Sequence, residues 1–387
     1  MSVADVTISC MRPALKAGLR PLWRDRDTLQ IGVDPRRASA LAGIGGASVV
    51  VSLLDGSRDA AEVERAARDH GVPGETTKRV LGLLASAGAL DDFPAALNKS
   101  LPAPLRARLA PDLACVSLAS GDGDGGARTY ARRRAAAVRV YGAGRVGAFV
   151  ATLLAASGVS RVSCRDSGPA DYSDLSPGGL SRNDIGLPRG AAAARAIHQA
   201  APETRLTEDP ARQPDLAVLA GPPAPEEVTA LLRARVPHLS VRADEAIGVV
   251  GPLVIPGYTA CLRCADLARA DRDPAWPLIL AQAAGPPRAC DVVLAAGTAA
   301  AAARQALAFI DQAGSAPAAL NGTLELVLPD WRWHRRTWLP HPACACGASG
   351  SDGQAQDLGG RASDTIACDR ASGAGDAGVS PSERAGA

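Results

Sequence analysis

Aromatic side chains are scarce in this 387-residue chain, at 3%, and lysine is scarcer: of 42 basic residues only Lys16, Lys78 and Lys99 are lysines, leaving 39 arginines. A base-stacking nucleic-acid surface interleaves aromatic and basic residues, and that composition is missing. Net charge is nearly missing too, 42 basic against 40 acidic residues, so no whole-molecule field draws in nucleic acid or an anionic membrane. Neither is expected as a partner. MSVADVTISCMRP contains no apolar signal core, and the longest apolar run, Val292 to Ala303, is alanine-rich and shorter than a membrane span. A cytoplasmic protein is the expectation.

What is present is alanine, glycine and arginine in abundance, a pattern of codon bias more than of phosphate binding. At 47% hydrophobic and well beyond the usual size of one domain, the chain predicts two folded domains and a tail. Nine cysteines without a secretion signal, four of them in two close pairs, point to metal ligation in place of disulfides.

Residues 11–93 read as strand, turn and strand around Trp23, followed by helices. These are an apolar helix over Ala47–Leu54, a second over Ala60–Asp69, and a third over Glu75–Ser86 with Val80, Leu81, Leu83 and Leu84 as its buried stripe. That is the element order of a small winged-helix-like α+β domain. Pro94, Pro102, Pro104 and Pro111, the glycine-rich 121–126 stretch and Arg132–Arg134 mark 94–136 as a partly flexible linker. From Val138 strands and helices alternate: strand 138–141, helix 146–156, strand 159–164, helix 191–199, strand 215–219, helix 226–233. The alternation predicts an α/β, mostly parallel and doubly wound, Rossmann-like sheet over 137–349. A strand-rich extension follows, with a hairpin at Pro329-Asp330 and a long Ala-rich helix, Val292–Ile310. The segment 350–387 has almost no large apolar residue and is expected to be a disordered tail.

Gly142-Ala-Gly144-Arg-Val-Gly147 follows an apolar strand and opens a helix, the context in which such a loop binds phosphate. The first glycine permits the turn, the second lets backbone approach an anion, and the third lets helix and strand pack closely. Asp166, nineteen residues past Gly147, stands where a carboxylate accepts ribose hydroxyls. Nucleotide binding is the expectation. The loop alone suits an NAD(P)-binding oxidoreductase equally well.

Cys261 with Cys264 and Cys344 with Cys346 supply four thiolates, enough to close a structural zinc site with no open position. His341 is the alternative ligand. Cys290 reads as a small buried residue at a helix start rather than a nucleophile, and Cys10, Cys115, Cys164 and Cys368 as loop, core or tail residues. His70, His198, His238 and His334 read as surface or packing residues, Trp331, Trp333 and Trp338 as sheet core or interface.

Two further stretches carry a family likeness. Asp184-Ile-Gly186-Leu-Pro-Arg189 and Gly251-Pro-Leu-Val-Ile-Pro-Gly257-Tyr-Thr-Ala-Cys261-Leu-Arg-Cys264, taken with the glycine loop and the zinc pairs, resemble the ThiF/MoeB superfamily of ATP-dependent adenylating (ubiquitin-like-modifier-activating) proteins over residues 137–346. The nearest resemblance is to the ThiF-like cyclodehydratase partners of azole-forming peptide maturation, which carry a winged-helix peptide-binding module in front. In adenylating members the glycine loop and ribose acid hold the nucleotide, an Arg after an Asn-Leu step and a Lys contact phosphates, and an Asp holds magnesium. The resemblance places Gly142, Gly144, Gly147, Asp166, Asp184 and Arg189 in the nucleotide site, with Arg189 at the Lys position. Asp174-Leu175 takes the Asn-Leu place, but Ser176-Pro177-Gly178-Gly179 lacks the Arg. Gly221-Pro222-Pro223 stands where the magnesium Asp belongs. Losing one such transition-state donor costs on the order of 2.7–4 kcal/mol, so catalytic residues stay unassigned. Asp171 and Asp174 are the neighbouring acids able to substitute.

The function implied is an adenylyltransferase-like protein that binds nucleotide (ATP/Mg2+) and a precursor or leader peptide. It would act as cyclodehydratase partner to a separate ATP-using modification enzyme, with a weakened adenylation site of its own, and as a homodimer joined through the Ala-rich helix. The alternatives are an active adenylyltransferase acting on a protein or peptide C-terminal carboxylate and, well behind, the oxidoreductase. Glu75–Ser86 offers only Lys78 and Arg79, too little for a DNA-recognition helix, which favours peptide capture at a strand edge.

Overall fold

A computed structural model describes residues 11–92, 101–209, 212–283, 285, 289–312 and 316–348; the tail, Cys10 and Cys368 lie outside the described residues. The chain divides between Ala135 and Ala136 into two compact units.

In the first unit, β1 (Pro13–Leu15) pairs antiparallel with β5 (Leu90–Asp92), and β2 (Pro21–Trp23), β3 (Leu29–Ile31) and β4 (Ser39–Leu41) form a three-stranded antiparallel sheet. Three helices lie between β4 and β5: α1 (Val49–Ser52, entered by a 3-10 turn), α2 (Ala60–Asp69) and α3 (Gly74–Ser86). Helix α2 starts where Asp59 accepts from the Glu62 amide at 2.7 Å while Glu62 accepts from the Asp59 amide at 2.9 Å, a reciprocal cap for two otherwise unpaired donors. The buried stripe of α3 is Thr77, Val80, Leu81 and Leu84; Leu83 is exposed, one position off the i, i+3, i+4, i+7 face. Val80, Leu81 and Leu84 share a core with Ile31, Val50 and Val63.

The segment expected to be a linker holds α4 (Ala103–Ser120) and α5 (Ala127–Ala135). Pro102 and Pro104 misled the reading because both stand at the start of α4, where a missing N–H has no intrahelical partner to lose. Leu109 and Tyr130 are buried between the two helices. The buried Lys16 ammonium donates to the Ser117 carbonyl at 2.7 Å, and Ser117 donates to Asp91 at 2.7 Å, tying α4 to the ends of β1 and β5.

The second unit is built on a seven-stranded sheet ordered β12-β11-β10-β9-β8-β6-β7, from β6 (Ala137–Tyr141), β7 (Arg161–Arg165), β8 (Leu216–Ala220), β9 (His238–Asp244), β10 (Ile247–Val254), β11 (Gly322–Val327) and β12 (Arg332–Thr337). Pairs β7-β6, β6-β8 and β8-β9 are parallel; β9-β10, β10-β11 and β11-β12 are antiparallel. The sheet is therefore only half parallel. After β9 the chain reverses through Glu245 and Ala246, both at positive φ, the two-residue hairpin turn, where a parallel continuation needs a crossover helix.

Helices α6 (Gly147–Ala156), α7 (Arg189–Ala200), α8 (Pro225–Arg233), α9 (Leu262–Ala270), α10 (Trp276–Gln282) and α11 (Val292–Asp311) complete the unit. Alternate residues of β8 serve opposite faces, Leu216 and Val218 packing with α6 and α11, Ala217 and Leu219 with Leu231 of α8. Helices on both faces make the sheet doubly wound. By length and composition α11 could cross a membrane, but Leu294, Ala299, Ala302 and Ala306 are buried against the sheet. The opposite side of the helix, with Val293, Ala300 and Arg304, is exposed. Trp338 is core, whereas Trp331 and Trp333 are exposed beside and on the edge strand β12.

Candidate functional site

The glycine loop leaves the carboxyl end of β6 and enters α6. A methyl group on Gly142 would collide with the Ala220 carbonyl at the end of β8, and one on Gly147 with the Gly142 carbonyl. Gly142 also holds φ at +85°, so loop, strand and helix approach as closely as they do only because side chains are missing. The loop runs into the N-terminus of α6, a position suited to an anion, although the Ala148 amide already donates to the Gly144 carbonyl at 3.1 Å.

Asp166 lies at the carboxyl end of β7. Its Oδ2 accepts from the Ala143 amide at 2.9 Å and Arg189 Nε at 2.8 Å, and its Oδ1 accepts from the Gly168 amide at 3.0 Å. Burial alone would raise this carboxyl; the Arg189 guanidinium and the two amides outweigh it and hold the group below the ordinary carboxylate value. Arg189, at the first turn of α7, reaches onward to Asp174 at 3.4 Å. Gly142, Gly144, Gly147, Asp166 and Arg189 are thus brought together, with Asp174 added.

Asp184 is not part of that group. Its Oδ2 accepts from the Ser181 amide and hydroxyl, both at 2.7 Å, and its Oδ1 from Arg195. It lines a separate recess of about 310 Å³ with Asn183, Arg195 and Gln199. Burial pushes its carboxyl up, and the Ser181 and Arg195 bonds pull it net down. Its work is to close the turn ahead of α7.

The segment after Asp174 is latched to the loop by Ser176 Oγ donating to the Arg145 carbonyl at 3.2 Å. Arg145 itself donates from Nη1 to the Cys290 carbonyl at 2.9 Å, a contact no sequence signal announces. Burial raises the Cys290 thiol despite Arg145 nearby, the opposite of an activated nucleophile. Asp171 faces outward and caps its own turn through the Tyr172 amide at 2.6 Å.

Beyond the sheet, the four paired cysteines converge. Cys261 Sγ lies 3.7 Å from Cys264 and 3.6 Å from Cys344, and Cys264 lies 3.6 Å from Cys346. All four sulfurs fall within 4.8 Å of one another. A tetrahedron with metal–sulfur bonds of about 2.3 Å sets its sulfurs about 3.8 Å apart, so the set fits a zinc ion. Burial raises the Cys261 thiol and lifts Cys344 to about 11. His341 is not among the ligands: Nε2 meets Asp271 at 2.8 Å and Nδ1 accepts from the Ala343 amide. Trp338 is buried against the cluster, with Arg269 stacked over its ring at 4.5 Å.

Residues 122–221 match the ThiF family. No curated protein matches the chain. Among solved structures, MccB of E. coli with ATP superposes with a TM-score of 0.63 at 17% identity, covering 86% of this chain and 99% of that one. The microcin C7 biosynthetic enzyme MccB in complex with N-formylated MccA gives 0.62 at 17%, covering 87% and 99%. PaaA gives 0.63 at 17%, covering 84% and 99%. At such identity the likeness is one of fold, and it takes in almost the whole length of each neighbour.

Proposed function

From the ThiF-family match over residues 122–221 and the fold shared with MccB, we propose that this ThiF/MoeB-like protein binds nucleotide at the Gly142–Gly147 loop, takes a precursor or leader peptide on its N-terminal unit, and supports ATP-dependent peptide modification by a separate enzyme as a cyclodehydratase partner. Its own adenylation is weak. The observation that carries this reading is a cradle kept while its reaction machinery is not. The loop, Asp166 and Arg189 are assembled, yet β8 runs out into Gly221-Pro222-Pro223 and residues 175–180 bring no cation to the loop. Arg189 is engaged by two carboxylates. Carboxylate attack on an α-phosphate needs free positive charge at that point.

The peptide would add to the open edge of β2, where Leu22 and Trp23 are exposed, taking affinity from backbone bonds and choice from side chains. That reading makes the first unit a winged-helix-like recognition domain. Zinc at Cys261, Cys264, Cys344 and Cys346 is structural, tying α9 to the segment that follows β12. A second copy would meet either the Trp331 and Trp333 edge or the outward stripe of α11 around Ala300 and Arg304.

Nucleotide titration and ATP–pyrophosphate exchange on the full chain test the reading together. Measurable binding with exchange near background is the expected result. Robust magnesium-dependent exchange overturns the scaffold reading in favour of an active adenylyltransferase, the reading that the ATP-bound MccB neighbour supports.

A further inference from the structure

Strand β2 is a free edge of the sheet ordered β2-β3-β4, and all three of its residues are exposed. The Arg24 amide donates to the Thr28 carbonyl at 3.0 Å, and the Gly32 amide donates to the Arg20 carbonyl at 2.8 Å. The backbones of Arg20 and Arg24 thus turn inward to β3. In an antiparallel ladder bonded residues alternate with unbonded ones, so Leu22 turns inward as well, and Pro21 and Trp23 turn outward. Proline has no N–H to donate. Trp23 is then the one residue of β2 that offers an incoming strand both an amide and a carbonyl, which fixes where that strand sits.

Side chains alternate in the same way. Trp23, 53% exposed, stands opposite the buried Leu29. Leu22 stands opposite Gln30 on the other face, and Arg24 Nη1 donates to Gln30 Oε1 at 3.2 Å, so Arg20, Leu22 and Arg24 line that outer face. Both arginines are exposed, and among the described residues neither is ion-paired with a carboxylate. Asp25 is taken by the Asp27 and Thr28 amides at 2.8 and 2.7 Å, and Asp34 by Arg36. Two unanswered positive charges therefore bracket two exposed apolar side chains. A second copy of this edge would bring arginine toward arginine, and like charges across a ladder destabilise it. A strand that carries acids meets opposite charge.

Resting on the peptide reading above, we propose that the β2 edge selects an acidic segment in which two successive apolar residues stand between acids. An incoming strand that runs antiparallel, the sense of the sheet it joins, has a defined order from its N-terminus. An acid lies opposite Arg24, an apolar residue opposite Trp23, an apolar residue opposite Leu22, any residue opposite Pro21, and an acid opposite Arg20. The backbone of Trp23 sets the register, and the side chains on both sides of it read the sequence.

Panning of random linear peptides on the immobilised full chain, followed by fluorescence anisotropy of an enriched peptide, tests this. Enriched sequences are expected to share that order, and Trp23→Ala to weaken the peptide at least about tenfold. Arg20→Glu and Arg24→Glu, each matched to wild type in circular dichroism, are each expected to weaken it about threefold to tenfold. A peptide with Lys in place of the acid opposite Arg24 is expected to lose affinity for the wild type and regain it on Arg24→Glu, a rescue that a merely structural arginine would not give. Peptides that need Trp23 yet bind Arg20→Glu and Arg24→Glu as tightly as the wild type overturn this proposal alone. Enrichment of no peptide, or of peptides indifferent to Trp23→Ala, overturns the peptide reading of the β2 edge, and this proposal with it.

Discussion

Cys264 is fully buried among three other sulfurs, so the proposed zinc site ties the stability of its surroundings to a metal. Cys264→Ser is expected to drop zinc content from about one ion per chain to a small fraction of that and to lower the unfolding temperature sharply, because metal-binding energy in such sites is folding energy; elemental analysis and calorimetry check both. The pH dependence follows from the thiols. Burial holds Cys261 and Cys344 protonated at neutral pH in the metal-free protein, so zinc must displace those protons, and its affinity falls as pH falls. Asp184 has a different pH signature. Its folded value lies below the ordinary 3.8, so its contribution is complete above that value and is lost as pH falls through the lower, folded one. Asp184→Asn removes charge-assisted bonds from a buried group and should cost about 1–3 kcal/mol at neutral pH, measured by urea unfolding, with the gap to wild type closing in acid. The glycine loop with Asp166 and the convergence of the four cysteines could be read from the sequence, because each sits at a fixed spacing from a strand or from a partner. The turn partners of Asp184, Ser181 and Arg195, could not, since a motif position says nothing of which neighbour a carboxylate will take. Arg145 on Cys290 was invisible for the same reason, whereas Asp174 was named only as one of two neighbouring acids, its approach to Gly144 being decided by the fold.

Elements were legible where one period or one cap dominates. Helix α2 begins and ends where its sequence says, and its start rests on Asp59. Asp59→Ala should therefore cost about 1 kcal/mol of stability in the first unit, a shift in urea midpoint without change in slope. The parallel strands β6, β7 and β8 were likewise marked by short apolar runs between helices. Proline alone does not separate linker from helix here: Pro102 and Pro104 open α4 while Pro111 stands within it, and the apolar contacts of Leu109 and Tyr130 hold the two helices together. Parallel order was overestimated because Glu245 and Ala246 are poor hairpin-turn residues by composition, yet both take positive φ. The β2 edge carries the peptide proposal at this scale. Trp23→Ala should weaken binding of the cognate precursor peptide at least about tenfold, in the range of an exposed aromatic anchor, while zinc content stays at wild type. Unchanged affinity would move the peptide off this edge.

At the scale of the whole molecule the four-cysteine cluster and the glycine loop are linked through the sheet of the second unit. The loop needs Gly142 pressed against the end of β8, and β8 is held in register by β9, which is paired in turn with β10. The far end of β10, Val254, packs in the core that also contains Cys261, Cys264 and Trp338. Loss of zinc therefore loosens the strand that follows β9 before it reaches the loop. Chelation of the full chain should first strip hydrogen-exchange protection from about 254–268 and 336–346, next from β10 and β11, and leave the amides of β6 and α6 protected longest, in keeping with the graded opening of cooperative units. Nucleotide affinity measured on the same chelated sample should fall only after protection in β9 is lost. Simultaneous loss of protection across β6 to β12 would show instead that the cluster and the sheet open as one unit.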